Sequence, residues 1–202
     1  GQGLETTIPQ LVADELGVPL DSVELISGAT DTTPYSAYGT AASRSIAVGG
    51  GAAVTASRLV AEKIKAIAAE ILEAAPADIE LSGGSAGVRG TNISVPIADV
   101  AKRAWQGFRL PEGLQPGLTG SYNYDPLTPT FSYATHACRV AVDMDTGAIE
   151  VEDYVVVHDC GTIVNPTIVE GQIHGGVAQG LGAALMESMV YDANGQPQSA
   201  TM

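Results

Sequence analysis

The residues best suited to bind a ligand in this chain are amides and hydroxyls set among glycines. They occur in three stretches: "GQG" at residues 1–3, "GTAASRS" at residues 39–45 and "EGQIHGG" at residues 170–176. Carboxamides both donate and accept hydrogen bonds, as do hydroxyls, and small side chains let a ligand come close to the backbone. Such chemistry suits a flat, hydrogen-bonding heterocycle with a phosphate tail, and spacing alone does not identify it.

Glycine is unusually frequent in the last predicted helix, which should begin at Pro166 with Asn165 as its cap. Each interior glycine costs about 0.8–1 kcal/mol relative to alanine, so five cost roughly 4–5 kcal/mol. One explanation is another helix or strand packed closely against them, and the other is an extended ligand near the helix start, where amides also attract anions. The five glycines are Gly171, Gly175, Gly176, Gly180 and Gly182.

The second stretch leads into three further glycines, Gly49 to Gly51, at the start of a long predicted helix. A helix start of this kind is also expected to attract an anion.

Composition and motifs exclude several other functions. The net charge of -14 disfavours nucleic acid, and charged residues interrupt every apolar run long enough to span a membrane. The sequence contains no P-loop, and its three histidines lack metal-ligand spacing.

Hydrophobic periodicity predicts an α+β fold with mixed helices and largely antiparallel strands. The predicted helices cover residues 6–16, residues 46–75 and a short segment after Pro96, and the region 109–124 is predicted to be irregular. Predicted strands cover residues 22–28, a pair after residue 77, and a hairpin formed by 131–143 and 148–158. The core stripe of the long helix is predicted at Val54, Leu59, Ile64, Ile67, Ile71 and Leu72.

The hairpin turn is predicted at "DMDTG", with Gly147 in the left-handed position. Antiparallel register places Cys138 opposite Tyr154 and Cys160 opposite Ser132, so the two cysteines should remain unpaired thiols.

Two parts are expected, an α+β half at about 1–110 and a hairpin with the glycine-rich helix at about 120–202. Both ends of the sequence look cut, and we expect a portion of a longer polypeptide, truncated at both ends.

Four segments together resemble one enzyme family from end to end of the chain. They are "GQGLETTIPQLVADELGV", "DTTPYSAYGTAASRS", "DCGTIVNPTIVEGQIHGGVAQGLG" and "YDANGQPQSATM". The family is that of the molybdenum hydroxylases: xanthine dehydrogenases, aldehyde oxidases and aerobic carbon monoxide dehydrogenases. The segments resemble the C-terminal portion of its molybdopterin-binding large subunit.

The resemblance implies which residues hold the cofactor. Gln2, between Gly1 and Gly3, would contact the molybdenum centre or the pterin, and Gln172 would contact the pterin. Arg44 would pair with phosphate charge, the alternative for this side chain being a surface or interdomain salt bridge. The loop around the pterin and its phosphate or nucleotide tail would comprise Thr40, Ala41, Ala42, Ser43, Arg44 and Ser45.

The resemblance also implies the activity of the intact enzyme. It would hydroxylate aldehydes, N-heteroaromatics or carbon monoxide with water-derived oxygen, using molybdopterin with molybdenum, as the cytosine dinucleotide. The general base is expected in a Gly-x-Gly-Glu segment beyond residue 202, so we assign no catalytic residue and no metal ligand to this chain. The isolated chain is expected to be inactive and to bind little cofactor.

The partners implied are the remainder of the molybdenum subunit, an iron–sulfur subunit with [2Fe-2S] clusters, a flavin subunit with FAD, and a small-molecule substrate. A dimer of heterotrimers in the cytoplasm is expected. Two alternatives stay open: a non-catalytic assembly or interaction domain that keeps the same fold, and an unrelated nucleotide-binding protein.

Overall fold

A computed structural model describes residues 1–33 and 39–198, and the chain divides into two units. The first unit contains residues 3–130, and the second contains Gly1, Gln2 and the chain from Phe131 onward. Residues 34–38 of the predicted loop and the last four residues lie outside the described part. Helices and antiparallel strands form both units, which confirms the α+β prediction.

The first unit is built on two helices, α1 (Leu4–Leu16) and α2 (Gly51–Leu72). Helix α1 ends at Leu16, as predicted, and Gly17 after it takes the left-handed conformation. Two hydrogen bonds of 2.8 and 2.9 Å join the Arg58 guanidinium of α2 to the Glu15 carboxylate of α1, and they raise the pKa of Arg58.

The long helix differs from its prediction at both ends. A π-helical turn, Ser45–Gly50, precedes α2, and the helix ends where Glu73 takes a left-handed φ of 52°. The π-helical turn widens the helix where α1 packs against it. Hydrophobic periodicity does not predict this contact.

The core lies between α2, α3 (Ile97–Gln106) and a three-stranded antiparallel sheet. The strands are β1 (Ile79–Ser82), β2 (Ser85–Val88) and β3 (Ser94–Pro96). Ile64 and Ile67 are each only 2% exposed, as the predicted stripe requires, whereas Leu59 is 47% exposed and does not belong to the core. Among the described residues, no helix is both long and apolar enough to cross a bilayer.

The strand predicted at residues 22–28 does not form. Leu20–Ser22 is a short 3-10 turn, and residues 23–27 after it belong to no helix or strand. The alternating side chains Val23 and Leu25 are half-buried and line a shallow depression beside Pro9 of α1. The alternation of half-buried and exposed side chains in this segment therefore arises from packing against α1.

The second unit begins with a hairpin of β4 (Tyr133–Val142) and β5 (Ile149–Asp159). Cys138 pairs with Tyr154, as predicted, and the ladder ends at the pair of Tyr133 with Asp159. Both cysteines are unpaired thiols.

The hairpin turn also forms as predicted. Gly147 has a φ of 74°, and the Asp143 carboxylate accepts hydrogen bonds of 2.9 Å from the backbone amides of Thr146 and Asp145. These hydrogen bonds hold the pKa of the Asp143 carboxyl below its ordinary value, and the one from the Thr146 amide has the largest effect.

A β-bulge interrupts the hairpin between Arg139 and Val140. Arg139 pairs with Asp153 and Val140 with Val151, which leaves Glu152 unpaired in the ladder. The Arg139 guanidinium contacts the carboxylates of both Glu152 and Asp153.

Helix α4 (Pro166–Leu185) starts where the sequence predicts. The Asn165 side chain accepts a 3.1 Å hydrogen bond from the amide of Ile168, and Pro166 occupies the first turn.

Candidate functional site

The two glutamines assigned to the cofactor lie at opposite ends of the sequence, and the structure joins their segments. The Nε2 atom of Gln172 donates a 3.0 Å hydrogen bond to the carbonyl oxygen of Gly1. Gly1, Gln2 and Gln172 all belong to the second unit. Two of the three predicted ligand-binding stretches therefore meet.

The side chains of α4 sort onto two opposite faces. Successive residues of a helix are 100° apart, so residues spaced by three and four share one face. One face borders a cavity of about 620 Å³ beside Tyr154 and Val156 of β5, and its half-buried members are Val169, Ile173, Val177 and Leu181. The other face consists of glycines and amides, namely Gly171, Gln172, Gly175, Gly176, Gln179 and Gly182.

The glycine face of α4 is open. A Cβ atom added at Gly171, Gly175 or Gly176 would meet no atom of the described chain within 4 Å, and the same holds at Gly180, which lies at the border between the two faces. At Gly182 the nearest atom is Oε1 of Glu187, at 3.4 Å. Within the described residues, close packing of another helix or strand does not account for these glycines, and the open face fits a flat ligand.

The start of α4 offers little to an anion, contrary to expectation. Pro166 has no amide hydrogen, and the amide of Ile168 already donates a hydrogen bond to the Asn165 side chain. Two of the first three positions of the helix are therefore closed to a phosphate oxygen.

The loop at residues 40–45 has the backbone of a specialised turn. Ala42 (φ 52°) and Ser43 (φ 55°) both take the left-handed conformation, which costs a residue other than glycine about 1–3 kcal/mol. Arg44 returns to the right-handed region, and its amide donates a 3.3 Å hydrogen bond to the Ala41 carbonyl. Consecutive residues of opposite hand turn neighbouring amides towards one side, which is the geometry of backbone anion sites.

Exposure and charge also suit this loop to phosphate. The residues from Thr40 to Ser43 are exposed, and Arg44 and Ser45 are half-buried. Hydroxyls, backbone amides and a guanidinium are donors that phosphate oxygens accept readily.

Gly3 and the 40–45 loop belong to the first unit, where α1 connects them. Gly3 has a φ of 71°, and its carbonyl accepts the amides of Thr6 and Thr7 at 3.1 and 2.9 Å, which starts α1. Ile8 and Leu11 of α1 then contact the π-helical turn that follows the loop.

The glycines at 49–51 serve packing rather than an anion. A Cβ atom at Gly50 would lie 3.1 Å from Cδ1 of Leu11, and one at Gly51 would lie 2.8 Å from the Tyr124 ring. The helical segment already begins at Ser45, so these residues lie inside it and not at its start.

Sequence reasoning missed Tyr124. It falls in a region predicted only as irregular, and no local pattern indicates that its ring contacts the first residue of α2. Within residues 1–33 and 39–198, no three His, Cys, Asp or Glu side chains are grouped to hold a metal ion.

Comparison with known proteins gives consistent relatives. The chain is 43% identical over 197 residues to the nicotine 6-hydroxylase large subunit of Paenarthrobacter nicotinovorans, covering 96% of this chain and 24% of that protein. It is 36% identical over 202 residues to the carbon monoxide dehydrogenase large chain of Afipia carboxidovorans, covering 100% and 25%.

A solved structure matches the fold closely. Quinoline 2-oxidoreductase from Pseudomonas putida 86 superposes with a TM-score of 0.88 at 39% identity, covering 100% of this chain and 26% of that one. The chain thus spans about a quarter of the length of the relatives it matches.

The family described as the molybdopterin cofactor-binding domain matches residues 1–202. The resemblance to the molybdenum hydroxylases that the sequence motifs indicate is confirmed. This chain belongs to the molybdopterin cofactor-binding domain family.

Proposed function

We propose that this chain forms one part of the cofactor cradle in the large subunit of a molybdenum hydroxylase. The observation that carries the proposal is the hydrogen bond from Gln172 to the carbonyl of Gly1, beside the open glycine face of α4. The bond joins two segments assigned to the cofactor separately, and the open face gives a flat ring system access to the backbone.

The residues present fit the pterin. Gln2 and Gln172 supply carboxamides that donate and accept, as the edges of a pterin do. A Cβ atom on the open face would stand where the ring system is proposed to lie, so glycine at Gly175 and Gly176 keeps this surface flat.

The residues of the 40–45 loop fit a phosphate-bearing tail. Arg44 neutralises charge, and the exposed hydroxyls of Thr40 and Ser43 accompany the backbone amides of Ala41 and Ala42. The left-handed conformations of Ala42 and Ser43 are energetically unfavourable, and such conformations cluster at ligand-binding sites, which supports a binding role for this loop.

When bound, the cofactor supplies the two-electron redox chemistry of a hydroxylation in which oxygen derives from water. The residues of this chain bind and orient the pterin and hold its phosphate. We assign the general base to no carboxylate of this chain, and we propose that the isolated chain is inactive.

The proposal for the whole protein extends further. The relatives' names include nicotine and quinoline, which are N-heteroaromatic compounds, and carbon monoxide. We propose a substrate among N-heteroaromatics, aldehydes and carbon monoxide, and the cytosine dinucleotide form of the cofactor. The proposed partners are the remainder of the subunit, a [2Fe-2S] subunit and an FAD subunit, in a cytoplasmic dimer of heterotrimers.

Metal and pterin analysis tests the proposal. Molybdenum content, and pterin fluorescence after oxidation, are measured on this chain alone and on the complete large subunit that contains it. We expect about one molybdenum and one pterin per complete subunit and little on the chain alone, because part of a cradle makes too few contacts. A complete subunit without either would favour the non-catalytic interaction domain and overturn the proposal.

A further inference from the structure

A strap, defined here as residues 119–124, runs along α2 in the direction opposite to the helix. The Lys63 Nζ atom donates a 3.3 Å hydrogen bond to the Thr119 carbonyl. A Cβ atom added at Gly120 would lie 2.5 Å from the Ala56 carbonyl oxygen, so the strap touches the helix backbone there. The strap ends with the Tyr124 ring over Gly51.

The contact between Tyr124 and Gly51 leaves no room for a methyl group. A Cβ atom at Gly51 would lie 2.8 Å from Cδ1 and from Cε1 of the ring, and 2.9 Å from Cγ. The ring therefore rests on the backbone at the first residue of α2.

Gly51 is also the last link in a set of backbone hydrogen bonds that leads to the 40–45 loop. Its amide donates to the carbonyls of Ala47 and Val48. The Val48 amide donates to the Arg44 carbonyl at 2.9 Å, and the Arg44 amide donates to Ala41. A displacement of Gly51 is thus transmitted through the π-helical turn to the residues that carry Arg44.

Helix α1 packs against the same turn at Gly50. Cδ1 of Leu11 lies 3.1 Å, and Cδ1 of Ile46 3.3 Å, from a Cβ atom built on Gly50, which is buried. The turn thus contacts both α1 and the Tyr124 ring, and π-helical turns of this kind are rare and often occur at functional sites.

We propose that Tyr124 is a positioning residue for the cofactor loop, acting through Gly51 and the π-helical turn on Arg44. The assignment of Arg44 to phosphate rests on the proposed function, whereas the mechanical link rests on the contacts of the first unit alone.

A double-mutant cycle tests the link. Tyr124→Ala removes the ring, and Gly51→Ala places a methyl group where the ring lies. In the double variant the methyl group no longer clashes with a ring. We expect amide exchange of Val48 and Gly51 in the 202-residue chain to rise about tenfold in each single variant. In the double variant the two effects should be clearly less than additive, and Tyr124→Phe, which keeps the ring, should exchange like the parent chain.

Cofactor retention provides the second readout. In the complete large subunit, Tyr124→Ala should lower pterin and molybdenum content while Tyr124→Phe restores it. Unchanged exchange at Val48 in Tyr124→Ala, or strictly additive effects in the cycle, would overturn the inference whatever the subunit binds. Faster exchange with full cofactor content would overturn the role of Tyr124 in cofactor binding. A parent subunit without pterin would instead refute the proposed function, and the exchange data would still decide the mechanical link.

Discussion

The Gln172 side chain donates a 3.0 Å hydrogen bond to the carbonyl oxygen of Gly1, across 171 positions of sequence. A residue of α4 thereby fixes the segment that carries Gln2. The hydrogen bond thereby couples the two segments whose amides are proposed to face one ligand.

Replacing Gln172 should weaken cofactor binding. Gln172→Ala removes the bond to Gly1, and a hydrogen bond of this kind contributes about 0.5–1.5 kcal/mol. We expect roughly a three- to tenfold faster loss of pterin from the complete subunit on dilution, measured by fluorescence after oxidation. Gln106→Ala, at the exposed end of α3, is the control, and equal rates for the two variants would contradict the assignment.

Replacing a glycine of the open face should have opposite effects on stability and on binding. Gly176→Ala should stabilise the isolated chain by about 0.5–1 kcal/mol in urea unfolding, because the methyl group meets open space and alanine favours helix. The same change in the complete subunit should reduce molybdenum content.

The control on the same helix is Ala184→Ser, an exposed residue three and seven positions from Leu181 and Val177 on the cavity face, and it should leave molybdenum content unchanged. If Gly176→Ala keeps the full metal content, the ligand does not lie on this face of α4.

The stability of the first unit should depend on the side chain of Ile64 much more than on that of Leu59. Ile64→Ala, at a position only 2% exposed, should lower the free energy of unfolding by about 2–5 kcal/mol. Leu59→Ala, at a position 47% exposed, should cost less than about 1 kcal/mol. Trp105, the sole tryptophan, lies in α3 and reports unfolding of this unit by fluorescence. Similar losses for both variants would be inconsistent with the core described.

The hairpin turn should be sensitive to acid through Asp143. Its pKa is lower in the folded state, so the carboxylate stabilises the turn above the unfolded-state pKa, and this stabilisation is lost as pH falls through the folded-state pKa. An NMR titration of amide shifts at Asp145 and Thr146 should follow that protonation. Asp143→Asn should remove this acid transition, and its persistence in the variant would refute the cause given.

Local chemistry made part of the structure predictable from sequence. Asn165 and Pro166 mark the start of α4, and Gly147 marks the hairpin turn, because caps and turns depend on neighbouring residues. The pairing of Cys138 with Tyr154 depends in addition on the bulge between Arg139 and Val140, because the register at the turn alone would place Cys138 opposite Asp153.

The errors occurred where distant contacts decide the structure. Residues 22–28 alternate like a strand and find a helix instead of a partner strand. The glycines at Gly50 and Gly51 predict an anion site at a helix start, but they accommodate Leu11 and Tyr124, which are distant in sequence. The small and polar character of the open face of α4 is predictable from sequence. The hydrogen bond from Gln172 to Gly1 is not, because it joins residues 171 positions apart.

The bulge at Arg139 and Val140 sets which way the hairpin side chains point. With Glu152 outside the ladder, odd-numbered residues of β5 before and after the bulge project from opposite surfaces of the ribbon. Deleting Glu152 would restore a regular ladder in which Arg139 still pairs with Asp153 and Val140 with Val151, so the side chains of both halves would keep their faces. The bulge thus absorbs one extra residue locally, and a single-residue deletion at this point leaves the same side chains on each surface of the ribbon.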